Sequence, residues 1–200
     1  MRPTKENLTA LVGKNIEMDI RLSCRPENSE NGYLEKQYGV TLLERDGKVV
    51  LTRDDSSVDA GVWVPYAETK AVVGRYTGSG VGWLASGPFS GCEMAIGVDK
   101  DQNRVFAAHI AKQSGSTAPA DYRKFRTDAK ASEFYWNRIP MPFEDKFSCA
   151  YVFVICSTDG IISMNSLEVE VTSMGGSNGK VLSVRTCLLY TSDAADEHSW

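Results

Sequence analysis

No run of about 18 apolar residues occurs anywhere in this chain of 200, so the sequence offers no membrane-spanning helix. Positive charge is not in excess either. The 22 Lys and Arg stand against 26 Asp and Glu, a formal net charge of -4. No cluster of cations is interleaved with aromatics, and the two facts together argue against a nucleic-acid partner. Residues 1–7 hold no apolar core, which predicts no Sec signal peptide. Cysteine is sparse and odd in number: Cys24, Cys92, Cys149, Cys156 and Cys187, five in all. Their spacings match no zinc pattern. The expectation is a reduced chain without a structural disulfide, with a pairing of Cys24 to another thiol left open. There is no phosphate-cradling glycine loop and no cluster of metal ligands, so neither a cofactor nor a metal is expected. Histidine is scarcest of all, with only His109 and His198 among the 200 residues.

What is present is ordinary material for a folded core. Hydrophobic residues make up 42% and charged residues 24%, enough for one domain, assigned to residues 1–186. Residues 4–13 read as a short helix capped by Thr4 and stopped by Gly13. Residues 16–22 alternate apolar and polar as a strand does. Residues 25–32 read as a loop. Strands at 38–44 and 48–52 flank the turn Arg45-Asp46-Gly47, and two more follow at 61–66 and 69–76. Residues 119–136 suit one helix, with Phe125, Ala129, Ser132 and Trp136 on a shared face and a stop at Ile139-Pro140-Met141-Pro142. Residues 149–156 are apolar on both faces and predict the central strand. Strands at 161–164 and 167–171 follow a turn at 158–160, and 181–184 closes the series. The predicted fold class is α+β, with a mixed or antiparallel β-sandwich-like core and flanking helices.

One constellation carries chemistry. Ser90-Gly91-Cys92 leads into the apolar stretch Met94–Val98. A polar turn at 99–103 follows, then Val105–Ile110 with His109 near its end. An antiparallel hairpin brings those two ends side by side. A thiol beside an imidazole can attack a carbonyl or carboxamide carbon, and Gly91 lets a substrate approach the backbone closely. The opposing reading treats Cys92 as a small buried hydrophobe and His109 as a hydrogen-bonded core residue. Loop composition around Gly78–Trp83 and Ser114–Pro119 makes Gly80, Trp83, Gln113 and Ser114 candidate substrate contacts.

Phe89-Ser90-Gly91-Cys92 with His109 resembles the bacterial toxin-type glutamine deamidases. That group includes the cytotoxic necrotizing factor catalytic domain, the Burkholderia lethal factor and the chemotaxis deamidase. The likeness is confined to the segment from Ser86 to Thr117. It implies Cys92 as nucleophile, His109 as base and Ser86 as the group that orients the imidazole, with backbone N–H groups of Ser90, Gly91 and Cys92 as oxyanion donors. It implies a protein glutamine deamidase, or a transglutaminase if an amine outcompetes water, and no cofactor. It also implies a partner protein carrying a reactive glutamine, either a Rho-type GTPase or a translation factor. Bacterial origin and delivery to the cytosol of a host or target cell follow from the same likeness. A cysteine peptidase and a non-catalytic β-rich interaction protein remain the alternatives.

Residues 187–200 carry no periodic pattern. They resemble the translation of a sequencing adapter, which predicts a non-native tail and no role for Cys187, His198 or Trp200.

Overall fold

The computed structural model describes residues 1–23, 32–56, 61–139, 148–158, 160–171 and 178–187. Alternating apolar residues turn most of this length into strands. In chain order the elements are α1 (Lys5–Thr9), β1 (Asn15–Met18), β2 (Leu34–Glu35), β3 (Tyr38–Arg45), β4 (Lys48–Arg53), β5 (Gly61–Val64), β6 (Ala71–Arg75), β7 (Gly82–Phe89), β8 (Glu93–Asp99) and β9 (Arg104–Ile110). Then come α2 (Ala118–Asp128), β10 (Ser132–Arg138), β11 (Ser148–Ser157), β12 (Gly160–Val171) and β13 (Asn178–Thr186).

Eight strands close into a barrel in the order β1-β13-β12-β11-β7-β5-β3-β4, and five form an open sheet in the order β10-β8-β9-β6-β2. Pairing is mostly antiparallel, with parallel contacts between β1 and β4, β5 and β7, and β2 and β6. Three apolar layers result. Trp63, Trp83, Tyr151 and Phe153 fill the barrel. Val64, Leu84, Val152 and Val154 on its outer surface meet Met94, Ile96 and Ala107 of the open sheet. The far face of that sheet packs Phe106 and Ala108 against Tyr122 and Phe125 of α2. The architecture is mixed α+β, with one β layer rolled shut.

β11 shows why a two-sided apolar run predicts a central strand. Tyr151 and Phe153 face the barrel interior while Val152 and Val154 face the open sheet, and all four are completely buried. Burying such side chains stabilises by roughly 1.5–3 kcal/mol each.

Several local expectations need correction. The strand predicted over 16–22 ends at Met18. The Asp19 carboxylate accepts from the Arg21 backbone N–H at 2.9 Å and caps a single 3-10 turn, Ile20–Leu22. The helix predicted over 119–136 stops at Asp128, because Lys130 takes a left-handed φ of 47° and reverses the chain. Ser132 and Trp136 therefore lie on β10. β7 begins at Gly82 and so takes Gly82 and Trp83 out of the loop expected around 78–83; its remaining residues carried no strand expectation. The strands predicted at 161–164 and 167–171 are one continuous strand, β12. The loop at 25–32, except Gly32, the proline stop after Ile139, the middle of the turn at 158–160, Cys24 and the tail from residue 188 lie outside the described residues.

The resemblance to the toxin-type glutamine deamidases does not survive the fold. A closed eight-stranded barrel accompanied by two short helices among the described residues is unlike the catalytic fold of that group. Nor does any group of three or more His, Cys, Asp and Glu side chains lie close enough together to hold a metal ion among the described residues. A short motif at a hairpin mouth fixes the turn and the two strands, and leaves the long-range closure of the sheet unspecified.

Candidate functional site

The hairpin β8–β9 positions the site. Met94 pairs with His109, and Val72 of β6 pairs with His109 from the other side. His109 thus sits on the middle strand of three. Strand alternation points it with Ala107 and Val105 toward the barrel rather than toward α2. Cys92 immediately precedes β8, two residues before Met94, and alternation places it on that same face, packed against the same apolar layer.

The barrel supplies the partners of the imidazole. On β7, Ser86 alternates outward with Leu84 and reaches His109 across the layer, with Oγ 2.9 Å from Nδ1. The same hydroxyl donates to the Val64 carbonyl at 2.7 Å. A hydroxyl has one hydrogen, so once it is given to Val64 its oxygen can only accept. The hydrogen-bond network therefore assigns the proton to Nδ1 and leaves Nε2 as a bare lone pair. Nε2 is buried and has no hydrogen-bond partner. Phe89 stacks on the ring with centroids 4.1 Å apart, and Tyr66 lies against it at 5.2 Å. Burial is the cause that pushes this imidazole down to about 3.

Local backbone brings Ser86 and Phe89 to the ring. Between them β7 carries one residue more than its partner β11, where the register shifts between Ala150 and Val152. Gly87 occupies the bulge at φ 153° and the Gly87–Pro88 peptide is cis. A side chain on Gly87 would meet the Tyr151 ring at 2.7 Å, so the bulge requires glycine.

Cys92 opens on a cavity of about 450 Å³ whose wall also includes Tyr66, Pro88, Ser90, Gly91, Gln113 and Arg138. His109 stands behind that wall, 1% exposed. Tyr66 belongs to both: its ring packs on the imidazole, and its hydroxyl accepts from Gln113 Nε2 at 2.5 Å beside the cavity. Burial pushes the Cys92 thiol above its ordinary value, opposed by the Lys112 backbone N–H, which favours the thiolate. Glu93 adds to the rise and Arg138 works against it.

The sequence-derived residues thus divide. Ser86 and His109 are brought together. Cys92 shares their layer, but its thiol is not hydrogen-bonded to the imidazole. Ser90 and Gly91 line the cavity with Cys92. Gln113 lines it too, while Gly80 and Ser114 are exposed and lie outside its wall. Trp83 is 2% exposed and fills the barrel interior, which removes it from any substrate rim. Tyr66, Lys112 and Arg138 were not singled out from the sequence. Their only signal there is proximity to strand ends, which is too common to select them.

No helix among the described residues is long and apolar enough to cross a membrane. No protein-family model matches the chain, and no curated protein matches it.

Proposed function

We propose that the chain is a cysteine-dependent hydrolase of side-chain carboxamides, acting on a glutamine of a partner protein. The observation that carries this reading is the bare, buried Nε2 of His109, whose ring Ser86 fixes in the same apolar layer that Cys92 packs against. A buried ring nitrogen without a partner costs stability. Its lone pair is free to take a proton, but burial makes it a weak base against a thiol that is itself raised, so proton transfer requires the ring and thiol to meet the polar cavity on substrate entry.

Nε2 takes the Sγ proton as the thiolate attacks the amide carbon, forming the C–S bond. Backbone N–H groups of the Ser90–Cys92 turn are the candidate donors to the oxyanion. The imidazolium returns its proton to the leaving nitrogen, the C–N bond breaks and ammonia departs. Water, deprotonated by the same Nε2, then adds to the thioester carbon; the C–S bond breaks, glutamate departs, and the thiolate takes its proton back from the imidazolium. In the resting arrangement Tyr66 packs on the imidazole at the cavity wall, so the reading includes a shift of Tyr66 and the thiol on substrate entry.

A non-catalytic role as an interaction protein is the second reading. It is favoured by the complete burial of the ring and by a thiol raised rather than lowered by its surroundings. Incubation of wild-type, Cys92→Ala and His109→Ala proteins with a cell lysate, followed by mass mapping of glutamine-to-glutamate conversion, separates the two. Conversion that needs both residues supports the hydrolase. Conversion unchanged in Cys92→Ala removes it, and cleavage of partner chains in its place points to a peptidase. The earlier expectation of a Rho-type GTPase or a translation factor rested on the family resemblance and falls with it as an argument.

A further inference from the structure

The described wall of the Cys92 cavity carries charge of one sign. Lys112 and Arg138 line it and no described acidic residue does, in a chain whose formal net charge is -4. Lys112 is already engaged, since the Glu93 carboxylate takes its ammonium at 2.5 Å and also accepts from Trp136 Nε1 at 3.1 Å. Arg138 has no carboxylate partner among the described residues. Its Nε donates to the Gly91 carbonyl at 3.1 Å, which holds the guanidinium over the Ser90–Gly91–Cys92 turn.

The turn is shaped to admit that group. Gly91 adopts φ 112°, where other residues are strained. A Cβ there would stand 2.9 Å from Arg138 Nη2. Glycine therefore serves twice, once for the backbone and once for the guanidinium lying against it. With Nε committed to Gly91, the two terminal nitrogens of the guanidinium remain as donors, and a planar pair of donors matches a carboxylate.

We infer that the cavity accepts an acidic protein segment, in which a carboxylate beside the target glutamine docks on Arg138. The glutamine in this statement rests on the carboxamide chemistry proposed above; the preference for a neighbouring carboxylate does not.

Fluorescein-labelled peptides centred on Glu-Gln-Glu and on Ala-Gln-Ala, titrated against Cys92→Ser protein by anisotropy, test the charge preference without turnover. The acidic peptide is expected to bind about tenfold more tightly than the neutral one, and the advantage should shrink as salt is added. Arg138→Gln should erase the difference, and Arg138→Lys should restore part of it. Equal binding of the two peptides overturns the inference. So does no detectable binding of the acidic peptide up to about 1 mM, or a preference that persists in Arg138→Gln. Ammonia release by the wild-type protein is read separately. Preferential binding without release removes the carboxamide chemistry and keeps the acidic site. Release without preference does the reverse.

Discussion

Phe89 lies nearly flat on His109, with ring centroids 4.1 Å apart and planes 16° from parallel. The imidazole is therefore sandwiched in an apolar layer, and its folded form is the neutral one. In the unfolded chain the ring takes its proton near pH 6.5; in the folded chain it stays neutral down to about 3. Between those values the unfolded chain binds more protons. The contribution of the neutral ring is thus complete above about pH 6.5 and is lost as pH falls, by up to about 1.4 kcal/mol per pH unit. Urea titrations at about pH 7 and about pH 5 should show this slope in the wild type and a flatter one in His109→Gln. Equal slopes would mean that the ring protonates in place.

Ser86→Ala should destabilise by about 1–3 kcal/mol, because it leaves Nδ1–H unpaired in a dry layer and takes the hydroxyl from Val64. Ser86→Thr keeps the hydroxyl and should recover part of the loss. If Ser86→Ala melts at the wild-type temperature, the hydrogen bond to His109 does not hold the two layers together.

The thiols should separate by accessibility. Cys149 and Cys156 are buried, and burial pushes both up to about 12. They should resist iodoacetamide until the protein unfolds. Cys92, on the cavity wall, should label in the folded state. Its rate should be slow at neutral pH and climb with alkalinity, since its thiol is raised. Peptide mass mapping reads all three. Fast labelling of Cys92 in mild acid would instead indicate a resting ion pair with His109.

Gly61→Ala should destabilise strongly, since a Cβ there would lie 2.2 Å from the Trp83 ring. Trp83→Leu leaves a void and costs roughly 1–3 kcal/mol alone. The double variant should lose less than the sum of the two, because the smaller side chain makes room for the added methyl. Additive losses in thermal unfolding would show that the contact is not the cause.

The hairpin that carries Cys92 and His109 was legible because two alternating apolar stretches flank a polar turn. β11 was legible because it is apolar on both faces, and both faces are covered. β7 was not. Gly82, Gly87 and Pro88 are poor strand formers; pairing with β11 on one side and β5 on the other keeps that segment extended, and the bulge opposite Ala150–Val152 takes up Gly87. β10 was hidden because residues 119–136 also satisfy a helical period. Trp136 still packs on Tyr122, edge to face at 5.0 Å, but does so from a strand. Barrel closure depends on β1 pairing with β13 and β4, contacts between distant segments that local pattern does not encode. Ser86 reached the candidate site through the family resemblance. That resemblance failed as a statement of fold, yet the hydroxyl does lie against the ring.

β7 is a party wall. Trp83 and Ala85 on one side belong to the barrel interior, and Leu84, Ser86 and Phe89 on the other belong to the layer that holds the imidazole. Any repacking inside the barrel that shifts this strand must move the hydroxyl and the ring that fix His109. Substitutions inside the barrel, which touch no atom of the candidate site, therefore have a mechanical route to it.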